Sequence, residues 1–239
     1  MSHGPGTIGI PGAELARYMS FTVSLASTVQ PEGTQLCVCT SASVVDNLNS
    51  IVGDMRPEDE WLWLIGDDHC WDPEALERLL DAREECGADI LVPLVCRRNP
   101  PWDLVLFKRE VGADGRGLPQ FEPYRYDEIP ESGTFPIAAG GPAGMLIGRE
   151  VLDAIGEPWF GSTDGVVLNE DLAFCQRARE AGGTIMGCAD VSIGHLGTYR
   201  VWPKRRGTEW GTYTDFNAIG SGHMDLFLAG GPRERARAV

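Results

Sequence analysis

One stretch constrains the fold of this chain more than any other. Trp61-Leu62-Trp63-Leu64-Ile65 is uninterrupted apolar sequence, and it stops at Gly66-Asp67-Asp68-His69. A short apolar run cut off by polar residues reads as a strand buried on both faces. Strands of that kind belong to sheets covered on both sides by helices, and ligands bind beyond their carboxyl ends. Two adjacent carboxylates at such an end repel each other unless a positive group lies beside them. A hard divalent cation is one answer, and it would in turn hold a diphosphate. An acidic helix start is the other, because Asp72-Pro73 opens a helix just downstream.

The flanking sequence agrees with such a sheet. Thr7-Ile8-Gly9-Ile10 reads as a short strand ending at Pro11-Gly12. Residues 13–29 read as a helix with Leu15, Tyr18, Met19, Val23 and Leu25 on its apolar side. Gln35–Thr40 is strand-like, and Ser43–Met55 is helical with Ser41 or Ser43 as cap. Pro73–Glu85 is a helix with Asp72 capping and Pro73 in its first turn, and Ile90–Val95 is another buried strand. Strands alternate with helices, which predicts a parallel sheet joined by right-handed crossovers.

After residue 96 the rhythm breaks. Residues 97–135 are rich in proline, charge and aromatics, with a strand at Leu104–Lys108. The pattern resumes with the glycine-rich Ala139–Gly144, a strand at Met145–Gly148 and a helix at Arg149–Ile155. Glu170–Ala181 reads as a helix stopped by Gly182-Gly183, followed by short strands at Thr184–Cys188 and Val191–Ile193. The last forty or so residues show no clear periodicity and read as loop-rich, with an apolar segment at Met224–Ala229.

Composition narrows the function classes. The 239 residues suit one large α/β domain or two small ones. No apolar run approaches the roughly 20 residues a membrane helix needs. The N-terminus lacks the charged start and apolar stretch of a signal peptide, so a soluble, cytoplasmic protein is expected. The seven cysteines contain no Cys-x-x-Cys pair, which argues against a zinc cage and for reduced, mostly buried thiols. Cys37 and Cys39 fall on the same face of their strand.

The formal net charge of −15 opposes general affinity for nucleic acid. Residues 198–239 go against that trend, with seven basic and four acidic residues. Such a segment could meet an anionic substrate or simply solubilise the chain.

Three constellations carry chemistry. The first is Asp67, Asp68, His69 and His195: carboxylates with imidazole suit Mn²⁺ as well as Mg²⁺. His195 follows a strand, so it could reach the same crevice, or it could be a core histidine bonded to a carbonyl. His69 could ligate, or could orient Asp68. The second is Asn169-Glu170-Asp171 at a helix start, where acids favour the macrodipole but can also act as a general base. The third is Gly140-Gly141, which allows close approach of backbone to a ligand or simply makes a tight turn. It is neither a Walker loop nor a first-strand dinucleotide fingerprint.

In this order and spacing, the motifs resemble the glycosyltransferases of the A-type fold, the superfamily that holds the family-two enzymes. The resemblance covers roughly residues 7–197. It implies a single Rossmann-like, mostly parallel sheet flanked by helices, an α/β fold, with a loop-rich C-terminal segment. It implies a nucleotide-sugar donor, most often a UDP-sugar, held with Mn²⁺ or Mg²⁺. The family's Asp-x-Asp motif falls on Gly66-Asp67-Asp68, with Asp68 as metal ligand and Gly66 in place of the first acid. His195 resembles the family's metal-ligating histidine. Pro11, Gly12, Ser41, Asn49 and Asp67 match positions that contact the nucleotide, and Gly140 and Gly141 those against the donor sugar. Asp171 matches the base of inverting members, with Glu170 beside it.

On this resemblance residues 1–197 form the catalytic domain. Residues 198–239 close the site or contact the acceptor, with Arg200 and Lys204 neutralising the diphosphate. The acceptor hydroxyl could belong to a sugar, a small molecule, a protein or a modified nucleobase. A hydroxylated base in DNA is the minority case, because the acidic body disfavours nucleic acid. A nucleotidyltransferase would need a basic glycine-rich loop after the first strand, and Pro11-Gly12-Ala13-Glu14 has no base. The alternative of another class is a nucleotide-sugar-binding module that keeps the fold with little turnover.

Overall fold

A computed structural model describes residues 3–12, 18–41, 43–98, 102–113, 119–161, 170–197, 199–206, 209–216 and 224–229. The chain divides into two compact units. One is Met1–Cys96 with Asp103–His195, and the other is Arg97–Trp102 with Leu196–Val239.

The first unit opens with β1 (Thr7–Gly12), α1 (Met19–Ser27), β2 (Gln35–Thr40), α2 (Val44–Gly53) and β3 (Trp61–Leu64). The two-residue β4 (His69–Cys70), α3 (Ala75–Cys86) and β5 (Ile90–Val95) follow. Then come β6 (Leu106–Ala113), β7 (Pro119–Pro123), β8 (Thr134–Pro136), β9 (Ala139–Gly140) and β10 (Met145–Gly148). The unit ends with α4 (Arg149–Ile155), α5 (Glu170–Glu180) and β11 (Ile185–His195).

The central sheet runs β2-β1-β3-β10-β5-β11-β4, with β8 also on β11. Strands β1, β2, β3, β5 and β11 point one way, so the sheet is mostly parallel as expected, and β10 runs against its neighbours β3 and β5. The alternation of side chains along each strand gives this sheet two buried faces. Leu62 and Leu64, Ile90 and Val92, and Met145 and Ile147 join one cluster with Leu48 and Ile51 of α2, Leu152 of α4 and Phe174 of α5. Trp61, Trp63, Leu91 and Leu146 alternate with them and are equally buried. Each such leucine contributes about 2 kcal/mol by the area it removes from water. On this side α3 buries Leu76, Leu79 and Leu80, and Trp71 stands edge-on between Phe21 and Trp63. A smaller antiparallel sheet, β7-β6-β9, extends the same unit.

The start of β1 is pinned by Asp59, which is 1% exposed. Its carboxylate accepts from the Thr7 hydroxyl at 2.7 Å, the Arg56 backbone at 2.8 Å and the Arg56 guanidinium at 2.6 Å. Burial alone would raise its pKa, but these bonds, led by Arg56, hold it below its ordinary value.

Several local expectations change. Within the reading of 13–29 as a helix, the helix observed is α1 over Met19–Ser27, residues 13–17 lying outside the described residues. Met19 and Val23, expected on its apolar side, are exposed; Phe21 and Ser24 face inward because Trp71 receives both. Asp72 does not cap α3: the N-cap is Glu74, with no side-chain bond. The strands expected at 184–188 and 191–193 are one strand, β11, with a bulge between Cys188 and Ser192.

In the second unit the expected loop-rich segment contains β12 (Tyr199–Arg206), β13 (Glu209–Phe216) and β14 (Met224–Ala229), an antiparallel meander. Its register sets Trp202, Tyr213 and Phe227 abreast. Pairing between segments some ten residues apart, not periodicity within one, makes these strands. No helix among the described residues is long and apolar enough to cross a membrane.

Candidate metal and donor site

Because β1, β2, β3 and β11 are co-directional, their carboxyl ends share one edge of the sheet. That edge carries Pro11-Gly12, Thr40-Ser41, the turn Gly66-Asp67-Asp68 and His195. The first of the three constellations thus lies at that edge, beside two of the segments expected to contact the nucleotide. The turn after β3 ends at β4, and β4 lies antiparallel on the end of β11, so that His69 pairs with His195.

The imidazoles stack, with centroids 4.4 Å apart at 28°. The Asp68 carboxylate spans both: Oδ1 is 2.9 Å from His69 Nδ1, and Oδ2 is 3.2 Å from His195 Nε2. Ligand atoms of Asp68, His69 and His195 all lie within 4.8 Å of one another. Burial would raise the Asp68 pKa, but the His195 and His69 imidazoles beside it hold it well below the carboxylate range.

Backbone carbonyls set the tautomers. His195 Nδ1 is 2.9 Å from the Cys96 oxygen, so Nδ1 carries the proton and donates it. In the neutral ring Nε2 then presents a lone pair to the Asp68 carboxylate, an arrangement that needs either a proton or a cation between them. His69 Nδ1 lies 3.2 Å from the Gly66 oxygen as well as beside Asp68, and its Nε2 is buried with no hydrogen-bond partner among the described residues. Histidines that ligate metals commonly donate their second nitrogen to a carbonyl in this way. The uncompensated nitrogens and the ionised carboxylate fit a divalent cation.

His69 is the member that the sequence left without a settled role. Gly66 is explained here too: a Cβ on it would come within 2.8 Å of His69 Nδ1 and 3.1 Å of Asp68 Oδ1. Residue 66 is therefore small because the imidazole occupies that space.

Other expected site residues fall as follows. Asp67 sits half-buried in the same turn. Gly12 is buried at the end of β1 and its carbonyl faces the Asn47 amide at 3.5 Å. Ser41 is exposed, its hydroxyl bonded to the Ser43 backbone. Asn49 holds Phe160 by a two-way amide clamp, donating to its oxygen and accepting from its nitrogen at 2.9 Å each.

Gly140 packs so closely on β5 that a Cβ would meet Val92 at 2.7 Å. A Cβ on Gly141 would meet Val105 at 2.8 Å and lie 3.9 Å from Asp171 Oδ2, so Asp171 and the glycine pair are neighbours. Asp171 and Glu170 are half-buried in the first turn of α5, and Asp171 Oδ1 accepts from the Leu172 backbone at 2.8 Å. Asn169 lies outside the described residues. Arg200 and Lys204 lie on β12, in the second unit, and their side chains are outside the description.

No protein-family model and no curated protein sequence matches this chain. Solved structures do share its fold. A197 from STIV superposes with a TM-score of 0.56 at 12% identity, over 81% of this chain and 86% of its own. GalNAc-T7, solved with UDP, GalNAc and Mn²⁺, superposes with a TM-score of 0.57 at 9% identity, over 80% of this chain and 44% of its own. The chain therefore corresponds to less than half of GalNAc-T7. The A-type glycosyltransferase fold expected from the motifs is the fold observed.

Proposed function

We propose that this protein is a metal-dependent glycosyltransferase, moving a sugar from a nucleotide-sugar donor, a UDP-sugar, to an acceptor hydroxyl. The observation that carries the reading is the Asp68–His69–His195 cluster at the carboxyl edge of this fold, with the His195 imidazole held by a carbonyl on Nδ1 and turned to Asp68 on Nε2. It is supported by the GalNAc-T7 likeness, since that protein was solved with UDP and Mn²⁺.

Asp68, His69 and His195 would hold Mn²⁺ or Mg²⁺, which neutralises the diphosphate as it leaves. Pro11, Gly12, Ser41 and Asp67 border the nucleotide on the same edge. Gly140 and Gly141 let the chain lie close to the donor sugar, with Asp171 alongside. Asp171 takes the proton of the acceptor hydroxyl as its oxygen bonds to the anomeric carbon. The bond from that carbon to the diphosphate oxygen breaks, and the electron pair departs with the diphosphate.

Thermal unfolding with UDP-, GDP-, TDP- and CMP-sugars, each with and without Mn²⁺, tests the reading. A donor at a hundred times its dissociation constant stabilises the fold by about 2.7 kcal/mol. The expected result is a Mn²⁺-dependent shift with the UDP-sugar, lost in Asp68→Ala. Release of UDP, which needs no known acceptor, should fall at least about a hundredfold in Asp171→Asn with donor binding kept. A donor shift without UDP release would favour the binding module, and full activity in Asp171→Asn would remove it as the base.

A further inference from the structure

A second cluster of ligand atoms lies away from this site, at the outer edge of the sheet. Among the described residues, strand β2 pairs with β1 alone in the central sheet, and its side chains alternate in exposure: Leu36 and Val38 are exposed, while Cys37 and Cys39 turn inward. Facing the two sulfurs is Asp54, which closes the C-terminus of α2. Cys37 Sγ is 4.0 Å from Cys39 Sγ and 3.9 Å from Asp54 Oδ2, and the three ligand atoms lie within 4.8 Å of one another.

We infer that Cys37, Cys39 and Asp54 form a site for a thiophilic divalent cation such as Zn²⁺, distinct from the Asp68 cluster. The three groups have the spacing of a tetrahedral cation site. Tetrahedral zinc with Zn–S near 2.3 Å and Zn–O near 2.1 Å sets its sulfurs about 3.8 Å apart and sulfur and oxygen about 3.6 Å apart. The two Cys37 separations exceed these by a few tenths of an ångström and the Cys39 to Asp54 separation lies within 4.8 Å, a closure that side-chain rotation supplies.

The ligands are also preorganised. The sulfurs are fixed by a paired strand: Cys37 stands opposite Gly9, and Cys39 opposite Pro11. The carboxylate is fixed by a helix end, where the Asp54 nitrogen donates to the Ser50 oxygen at 2.9 Å. The Asp54 oxygen accepts from the Gln35 side chain at 3.1 Å, which joins the helix end to β2 independently of the thiols.

The donor atoms differ in kind from those of the Asp68 cluster. Thiolates prefer soft cations, whereas the nitrogen and oxygen donors of the Asp68 cluster suit Mn²⁺ or Mg²⁺. Asp54 is exposed and Cys39 half-buried, which leaves the fourth position open to water. The spacing rules for zinc motifs pass this site by, because Cys-x-Cys on a strand is completed by a carboxylate from the next helix.

The test titrates the reduced full-length protein with Cd²⁺ and reads the ultraviolet thiolate-to-metal charge-transfer band, with Zn²⁺ as competitor. One sulfur-bound Cd²⁺ per chain is expected, displaced by Zn²⁺. The band should vanish in Cys37→Ser and Cys39→Ser, persist in His195→Ala, and need at least about ten times more Cd²⁺ in Asp54→Asn. Asp54→Asn and the wild-type titration decide the matter even where a serine variant does not fold. No band in the wild type, a band that survives Cys39→Ser, or wild-type affinity in Asp54→Asn would overturn the assignment.

Discussion

The molecule surrounds two carboxylates in opposite ways. Asp59 is met by donors alone: a hydroxyl, a backbone N–H and a guanidinium, all inside one buried contact set. Asp68 is met by two imidazoles whose protons are partly committed to backbone carbonyls, so that at least one nitrogen lone pair is turned toward it. Both carboxylates are held below their ordinary pKa by their partners. The first arrangement puts a proton on every contact, whereas the second turns a lone pair of His195 toward the carboxylate. A carboxylate met by donors stabilises the fold, while one set beside imidazole lone pairs at a strand end is arranged to share a cation.

Substitution separates the two. The largest effect on stability is expected from Asp59→Asn, which replaces the ion by an amide facing the donors of Arg56 and Thr7. Urea unfolding should show a loss of about 3 kcal/mol with an unchanged slope. The isosteric Asp68→Asn should change metal-free stability by about 1 kcal/mol or less, yet remove the Mn²⁺-dependent shift in melting temperature. A large loss of metal-free stability in Asp68→Asn would place Asp68 with Asp59 as a structural ion.

The comparison sharpens with pH. A carboxyl whose pKa is lower folded than unfolded stabilises the protein above its unfolded value of about 3.9, and the contribution is lost as the pH falls below that. Asp59 belongs to that class, so acid unfolding of the wild type should be steeper below about pH 4 than that of Asp59→Asn. The smallest effect is expected at Gly66. Gly66→Ala should displace the His69 ring, leave the melting temperature of the metal-free protein nearly unchanged, and weaken Mn²⁺ binding about tenfold in calorimetry. Unchanged Mn²⁺ affinity in Gly66→Ala would exclude His69 from the ligand set.

Much of this was legible in the sequence where burial is uniform or strictly periodic. Trp61–Leu64 is buried at every position, and the helices after Ser43 and Glu170 lie where their apolar spacing puts them. Asp68 and His195 were readable because each follows a strand. His69 was ambiguous because a residue next to a ligand can equally orient it, and only the pairing of β4 with β11 brings its ring onto His195. The exposed side of α1 could not be read because Trp71, far along the chain, decides which residues turn inward. The C-terminal strands were hidden for the same reason, since their order comes from cross-strand partners and not from local spacing.

The place of β10 has a consequence for how the chain acquires its structure. This strand, from the second half of the sequence, lies between β3 and β5 and bonds to both. Until residues 145–148 are synthesised, one edge of Trp61–Leu64 and both edges of Ile90–Val95, whose other neighbour is β11, lack their sheet partners, and both strands are apolar on both sides. A nascent chain at that stage presents open, sticky edges, the kind on which aggregates nucleate. Closing the gap joins segments about eighty residues apart, a contact order that favours slow collapse over rapid assembly. The buried, reversed strand at the centre of the sheet is thus a late keystone, and a chain that emerges slowly past it is the form most dependent on chaperones.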